Sequence, residues 1–271
     1  MFTDHYFETE KDISIHYYDE GEGQPVVFIP GWIFSCDVFK KQIEFFSKGY
    51  RVIAIDPRGH GKSTQTPVGL DHITHAKDII ALCQKLGLDN VIFCGWSYGA
   101  FETWAVIREW GIEHVKGLFN IDQPPQGFPE FPEDWVEGDA KHTAQIIQDV
   151  RTKEGLARVI PMMVRNYMLE KKLTEEDYQF IEGTATMPYY LAVAEYAIGQ
   201  SGDFREEVRL ADNCSTCHSE FMVAKRWNGA AESYMKTLAP NMKIHTLGCH
   251  MMFWDYAEEF NEIFAEFLQQ C

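Results

Sequence analysis

The sequence predicts an α/β fold with a mostly parallel, eight-stranded sheet, helices on both faces and a helical insertion. Short apolar runs rich in Val, Ile and Phe alternate with amphipathic stretches of helix length, and this alternation is typical of a parallel sheet covered on both faces. The alternation stops after residue 123 and resumes near residue 220. We therefore expect a single domain, residues 1–271, in which residues 124–213 form a helical cap.

The first two predicted strands form an antiparallel hairpin, because residues 6–10 and 13–18 alternate between apolar and polar side chains. Gly21 and Gly23 then break the chain before the run PVVFI, residues 25–29, which is apolar enough to be buried on both faces. Strands of the same apolar character are predicted at residues 51–55, 90–94, 115–121, 220–224 and 243–247.

Helical periodicity is clear in the segment 71–86, whose apolar side chains recur at helical spacing. The last predicted helix, 256–270, presents one apolar stripe that contains Phe260, Phe264 and Phe267. Further helices are predicted outside the cap at residues 38–46, 99–110 and 232–238, and inside it at residues 142–150, 156–169 and 174–181.

The composition excludes several classes of protein. Acidic residues (41) outnumber basic residues (24), and the resulting formal net charge of −17 repels nucleic-acid phosphates and anionic lipid. The sequence has no apolar run long enough for a membrane-spanning helix, and its charged N-terminus does not resemble a signal peptide. We expect a cytoplasmic protein that acts on a small-molecule substrate and binds neither nucleic acid nor membrane.

The seven cysteines are scattered along the chain, and without an export signal we expect reduced thiols rather than a disulfide framework. The run CSTCH, residues 214–218, matches the haem-attachment pattern C-x-x-C-H. Haem attachment would require export and a different fold, and a zinc site would need two more suitably spaced ligands. We therefore interpret this match as a coincidence.

The segment most informative about function is GWSYG, residues 95–99, which lies directly between a predicted buried strand and a predicted helix. Such a tight strand-to-helix turn strains the serine backbone and needs small residues two positions to either side. It also raises the hydroxyl above the strand end, at the positive end of the helix. The alternative is a chance match, but the strand–helix context favours Ser97 as a nucleophile.

A serine hydroxyl needs a base to become nucleophilic, and His250 is the best-placed of the ten histidines. It follows the last predicted strand and precedes the last predicted helix, so its loop is expected at the same sheet edge as Ser97. Other histidines, such as His72 and His75, lie within predicted helices or strands. The alternative for His250 is a loop histidine without a catalytic role.

Two backbone N–H groups are candidates for an oxyanion hole. Tyr98 follows the nucleophile at the start of a helix, and Trp32 follows Gly31 in the loop after the strand 25–29. Aromatic side chains near these positions favour an apolar acyl or aromatic pocket. We expect Trp32, Phe34 and Trp96 to line it.

Taken together, these motifs resemble the α/β-hydrolase superfamily over nearly the whole chain. The matching features are a strand ending in PGW, the segment DPRGHGKS at residues 56–63, the GWSYG turn, a helical insertion and a histidine before the last helix. The resemblance implies the α/β-hydrolase fold and a Ser–His–acid triad that needs no metal or organic cofactor. It also implies that the DPRGHGKS segment shapes a turn, so His60 is interpreted as structural.

The acid of the triad departs from the commonest pattern of that superfamily. The acid usually follows the strand after the cap, where this sequence has Asn228. Asp122, at the end of the preceding strand, is the better candidate, because some superfamily members place the acid there and the order Ser97, Asp122, His250 is kept. The alternative is that Asp122 only caps the loop that follows it.

Two branches of the superfamily resemble this chain. Serine esterases and cofactor-free perhydrolases match the GWSYG turn, the PGW loop and the histidine. Cofactor-independent dioxygenases of 3-hydroxy-4-quinolones share PGW followed by VFK at residues 38–40 and the earlier acid, but they have histidines where this chain has Trp96 and Phe34. The sequence therefore favours a serine esterase. The dioxygenase is the main alternative, and a non-catalytic ligand receptor on the same fold is a third hypothesis.

Overall fold

The computed structural model describes residues 2–227 and 229–271 and contains an eight-stranded sheet with the strand order β1-β2-β4-β3-β5-β6-β7-β8. The strands are β1 (His5–Glu10), β2 (Ile13–Glu20), β3 (Pro25–Ile29), β4 (Arg51–Ile55), β5 (Val91–Trp96), β6 (Val115–Ile121), β7 (His218–Val223) and β8 (Lys243–Thr246). The hairpin β1–β2 is antiparallel, and β2 runs antiparallel to β4. The other six strands, β3 to β8, are mutually parallel. The predicted fold class is confirmed.

The helices are α1 (Lys40–Phe46), α2 (His72–Lys85), α3 (Tyr98–Trp110), α4 (Ala140–Val150), α5 (Lys153–Met163), α6 (Glu175–Thr184), α7 (Tyr189–Gly199), α8 (Arg205–Asn213), α9 (Ala230–Leu238), α10 (Met252–Asp255) and α11 (Ala257–Leu268). Short 3₁₀ turns lie at Cys36–Phe39, Ile112–His114 and Lys225–Trp227, and a π turn lies at Val164–Met168. In the described part of the chain, no helix has both the length and the apolar character that a bilayer crossing requires.

The two faces of the sheet are covered by different helices. Phe264 of α11 packs on Phe28 of β3 and Phe119 of β6, with ring centroids 5.7 and 5.0 Å away. On the other face, Trp104 of α3 stacks on Phe221 of β7 at 5.8 Å. Side chains alternate between the two faces along each strand, so the apolar strands fill both layers of the core.

The parallel register aligns the carboxyl ends of the central strands. Gly95 of β5 pairs with Asn120 of β6, and Ile121 of β6 pairs with Met222 of β7. The chain segments that follow these strands therefore emerge side by side at one edge. In open α/β sheets this edge is where ligands bind.

Helices α4 to α8 all lie within residues 124–213, between β6 and β7. The single helix expected at 156–169 is divided: α5 ends at Met163, and a π turn follows. Pro161 lies inside α5 and cannot donate a hydrogen bond to the carbonyl of Ala157, four residues before it. The closing helix expected at 256–270 corresponds to α11, and the short helix α10 directly precedes it.

Candidate active site

Ser97 lies in the turn between β5 and α3 and has backbone angles of φ 54° and ψ −127°. A residue with a side chain rarely adopts positive φ, and holding it there costs roughly 1–3 kcal/mol. The turn directs the chain from the strand into the helix within one residue. This is the strained conformation that the GWSYG motif predicts.

Three glycines make this turn possible because the backbone packs closely around Ser97. A Cβ atom on Gly95 would lie 2.4 Å from the carbonyl oxygen of Gly99, and one on Gly99 would lie 2.3 Å from that of Ile29. A Cβ atom on Gly31 would lie 2.8 Å from Ser97 Cβ and 3.3 Å from Ser97 Oγ. The loop after β3 therefore passes directly beside the Ser97 hydroxyl.

His250 lies in the loop between β8 and α10, and its ring borders the same cavity as Ser97. The indole N–H of Trp96 donates to the backbone carbonyl of His250 at 2.8 Å, and the two rings lie 5.2 Å apart. Trp96 thus holds the histidine loop against the end of β5. In the described residues, the hydrogen bonds of the His250 ring do not include one to Ser97 Oγ.

Asp122 directly follows β6, has φ 48° and is fully buried. Its Oδ2 atom accepts a hydrogen bond from His250 Nδ1 at 2.6 Å and one from Arg226 at 2.9 Å. Its Oδ1 atom accepts from the backbone N–H of Ala224 at 2.8 Å and from the Trp227 indole at 2.7 Å. Asp122 therefore orients the His250 ring and leaves Nε2 as the free ring nitrogen.

The charge of Asp122 is stabilised despite its burial. Burial alone raises the pKa of a carboxyl group, but the hydrogen bond from His250, its charge and the charge of Arg226 together hold the pKa of Asp122 well below its usual range. Since the carboxylate is ionised, it accepts a hydrogen bond from the His250 Nδ1–H group. This bond keeps the proton on Nδ1 and so fixes the orientation of the ring.

Arg226 and Glu137 are site residues that the sequence analysis missed. The Arg226 guanidinium bridges Asp122 and Glu137, with 2.9 Å to a carboxylate oxygen of each. Arg226 follows β7, the strand beside the one that Asp122 follows. The sequence could have indicated Arg226, because residues that follow neighbouring parallel strands lie close together at the same edge of the sheet. The alternative acid position, Asn228, lies outside the described residues.

The loop after β3, where Trp32 lies, is attached to the segment 124–213. The Trp32 indole N–H donates to the carbonyl of Ala192 in α7 at 2.9 Å, and its ring lies 4.7 Å from that of Tyr196. Tyr98 is the first residue of α3, so its backbone N–H has no acceptor within the helix. Its side-chain hydroxyl donates to the carbonyl of Tyr196 at 3.2 Å.

A cavity of about 460 Å³ opens above Ser97 and His250, and its lining is mostly apolar. Trp32, Phe34 and Trp96 all border it, and Phe34 packs on Trp96 at 5.2 Å. The segment 124–213 supplies the opposite wall through Ile146, Val159, Met162, Met163, Tyr167, Met168 and Tyr196. The polar residues that border the cavity are Gln123, Glu137, His142, Gln145, Asp149, Gln200 and Arg226.

Asp122, Glu137 and His250 bring ligand atoms within 4.8 Å of one another, a spacing that would suit a metal ion. The Arg226 guanidinium, however, contacts both carboxylates. It already supplies the positive charge that an ion would bring. The guanidinium of Arg226 therefore balances the charge of the two carboxylates.

Comparison with known proteins places the chain in a family. A family model described as the alpha/beta hydrolase fold matches residues 24–175. Since this match covers more than half of the chain, the protein belongs to the alpha/beta hydrolase fold family.

Individual relatives are similar over shorter stretches. A non-heme haloperoxidase of Rhodococcus erythropolis is 40% identical over 121 residues, 44% of each chain. A bifunctional esterase/perhydrolase of Acinetobacter calcoaceticus is 40% identical over 101 residues, 36% of this chain and 37% of that protein. The matches thus span less than half the length of these relatives. The crystal structure of a bromoperoxidase from Bacillus anthracis superposes with a TM-score of 0.87 at 22% identity, covering 98% of this chain and 100% of that one.

Proposed function

We propose that the protein is a serine hydrolase that cleaves an ester or similar acyl bond of a small apolar or aromatic substrate. The observation that carries this proposal is the strained Ser97 in the same cavity as a histidine whose Nδ1 atom is held by a buried carboxylate. A nucleophile, a base and an orienting acid are the three groups that acyl transfer requires. The similarity to a bifunctional esterase/perhydrolase supports the same reaction class.

In the proposed reaction, Ser97 Oγ attacks the acyl carbonyl carbon while His250 Nε2 takes the hydroxyl proton. The carbonyl oxygen becomes an oxyanion, and the backbone N–H groups of Trp32 and Tyr98 stabilise it. His250 then donates its proton to the leaving alcohol as the carbon–oxygen bond breaks, which leaves an acyl group on Ser97. Water, deprotonated by His250, attacks this acyl group. The bond from the acyl carbon to Ser97 Oγ then breaks, Oγ regains its proton from His250, and the carboxylic acid is released.

The cavity argues for a small and largely apolar substrate. A volume of about 460 Å³ suits a ligand of modest size. Aromatic walls at Trp32, Phe34 and Trp96 favour a flat or bulky acyl group, and the methionines of the opposite wall can adapt to its shape. We assign residues 124–213 the role of a cap that closes over this substrate, since they form the opposite wall.

The test is hydrolysis of a short p-nitrophenyl ester by wild type, S97A and a control variant, S35A. Ser35 is buried in the loop after β3 but does not border the cavity. We expect S97A to lose activity while keeping its thermal unfolding temperature, and S35A to keep activity. A fluorophosphonate probe should label Ser97, as read by mass spectrometry of the labelled peptide. Full turnover by S97A would refute the proposal.

The alternative proposal is a ring-cleaving dioxygenase, because that branch of the superfamily and this chain both have the acid after β6. A dioxygenase would take up oxygen and release carbon monoxide with a 3-hydroxy-4-quinolone, and both activities would persist in S97A. Trp96 and Phe34 argue against it, because they give apolar walls where that branch has histidines. A ligand receptor on this fold would bind a signal molecule or modify it slowly. Single-turnover kinetics would then show that the product stays tightly bound.

A further inference from the structure

A second cluster of titratable side chains lies in the interior, outside the cavity of Ser97. It consists of His60, which follows β4, His75 of α2, Glu102 of α3 and Glu195 of α7. Each is at most 1% exposed. We refer to these four residues as the interior His–Glu cluster. The proposed hydrolase mechanism does not use it.

Three of these side chains converge on one point, and His60 lies beside them. His75 Nδ1 lies 2.6 Å from Glu102 Oε1 and 4.0 Å from Glu195 Oε1, and His60 Nε2 lies 3.4 Å from the same Glu195 oxygen. The ligand atoms of His75, Glu102 and Glu195 all lie within 4.8 Å of one another. One imidazole and two carboxylates from three separate helices therefore share a single small volume, and His60 borders it at Glu195.

Several polar atoms of the cluster are left without partners. Within the described residues, neither carboxylate oxygen of Glu195 accepts a hydrogen bond, and Glu102 Oε2 also lacks a donor. The nearby Arg58 guanidinium pairs with Asp78 and Glu10 instead. Buried polar groups are nearly always satisfied, so Glu195, aimed at two histidines, points to a missing positive partner.

The orientation of His60 strengthens this conclusion. Its Nδ1 atom lies 3.3 Å from the backbone carbonyl of Arg58, and a carbonyl can only accept, so Nδ1 carries the proton. The unprotonated Nε2 then faces the oxygen of Glu195. Two acceptors face each other there, which requires a cation or a proton between them.

We propose that the interior His–Glu cluster is a binding site for a divalent transition-metal ion of the zinc type, held by His75, Glu102 and Glu195, with His60 beside Glu195. Imidazole nitrogen and carboxylate oxygen are ligands that Zn²⁺ accepts in tetrahedral geometry at roughly 2.0–2.2 Å. Ligand atoms around such an ion are about 3.4 Å apart, which follows from that bond length and tetrahedral angles. The distance from His75 to Glu102, 2.6 Å, and the distance from His75 to Glu195, 4.0 Å, lie on either side of this value.

A comparable cluster elsewhere in the chain lacks these features. His16, Cys36 and Asp56 also lie within 4.8 Å of one another. Asp56, however, accepts hydrogen bonds from His16 Nδ1 and from the backbone N–H groups of Cys36 and Lys62. These bonds satisfy its carboxylate, so proximity alone does not argue for an ion there.

The proposed ion has a structural consequence. Glu195 belongs to α7, which lies in the segment 124–213, whereas His75 of α2 and Glu102 of α3 belong to helices outside that segment. The ion would therefore fasten this segment to the rest of the fold. Because α7 also carries Tyr196, which borders the cavity, loss of the ion would loosen the cavity wall.

The test uses the full chain produced in cells grown with added Co²⁺ or Zn²⁺, then purified in chelator-treated buffers. We expect about one metal ion per chain by elemental analysis, in keeping with a single site. The cobalt form should show the visible absorption of a tetrahedral nitrogen–oxygen site. E195Q should lower the affinity for Co²⁺ by at least about a hundredfold, since even outer-shell partners are worth 10–100-fold.

The matched control is E220Q, because Glu220 is also buried and lies between two histidines, His218 and His245. E220Q should bind cobalt as wild type does, and E102Q serves as a second cluster variant if E195Q fails to fold. Wild type without stoichiometric metal after growth in either ion would overturn the proposal. Equal metal content in wild type and both cluster variants, or loss in E220Q alone, would overturn it as well. Esterase activity is read separately, so failure here leaves the proposed hydrolase function standing.

Discussion

His250 Nδ1 lies 2.6 Å from Asp122 Oδ2, although 128 positions separate the two residues along the chain. The contact joins the loop after β8 to the end of β6, across the intervening strand β7. Arg226 and Trp227, which follow β7, fill the gap by donating hydrogen bonds to the same carboxylate. The pairing is therefore supported by three neighbouring strand ends.

Asp122→Asn should lower kcat for a p-nitrophenyl ester by roughly 10³–10⁴-fold, because an amide at this position favours the wrong tautomer of His250. The matched control is Glu137→Gln, which alters the other carboxylate bound by Arg226 but keeps the pairing of Asp122 with His250. Steady-state kinetics of both variants decide the point. Equal losses in the two variants would remove Asp122 from its assigned role.

Gly31→Ala should lower kcat by roughly 10²–10³-fold, the effect of losing one oxyanion-hole donor. The added Cβ atom would meet Ser97 Cβ at 2.8 Å and so displace the loop that carries the Trp32 N–H group. Gly49→Ala is the control, since a Cβ atom there meets nothing within 4 Å. If Gly31→Ala keeps wild-type kcat, the backbone of this loop does not contribute to the reaction.

Trp96→Phe should lower kcat by about fivefold, because the variant loses one hydrogen bond worth roughly 1 kcal/mol to the carbonyl of His250. The pocket keeps an aromatic wall, so KM should change little. Trp32→Phe provides the contrast: its indole N–H binds Ala192 in α7, so its loss should affect KM more than kcat. The reverse pattern in the two variants would contradict this assignment.

Acid should destabilise the fold through buried histidines, and His72 is the cleanest test. Burial lowers the pKa of His72 to about 3, so the unfolded chain binds a proton that the folded chain rejects. Its contribution to stability is complete above pH 6.5 and is lost as the pH falls from 6.5 towards 3. The slope approaches about 1.4 kcal/mol per pH unit.

His72→Gln should therefore flatten the dependence of the unfolding free energy on pH between pH 6.5 and 4. The measurement is urea denaturation of the variant and wild type across that range. Identical slopes in the two proteins would show that His72 does not contribute to the acid sensitivity.

Much of the fold followed from local patterns. The bounds of β3, β4 and β6 agree with the predicted runs, because a continuous apolar stretch bounded by turn residues identifies a buried strand. Less was predictable in the segment 124–213, where the bounds of α5 differ and α7 and α8 were not separately foreseen. Residues of this segment border the cavity as well as the core, so the apolar patterns of its helices are less regular.

The sequence by itself determined the strand order along the chain, the strained turn at Ser97 and the position of His250 beside the last strand, because each depends on residues that are neighbours in the chain. Only the tertiary structure decided which cation balances Asp122, which residues form the far wall of the cavity, and that Glu195 meets His60, His75 and Glu102 in the interior. Those contacts join elements far apart in sequence, and their geometry depends on how whole helices pack against the sheet.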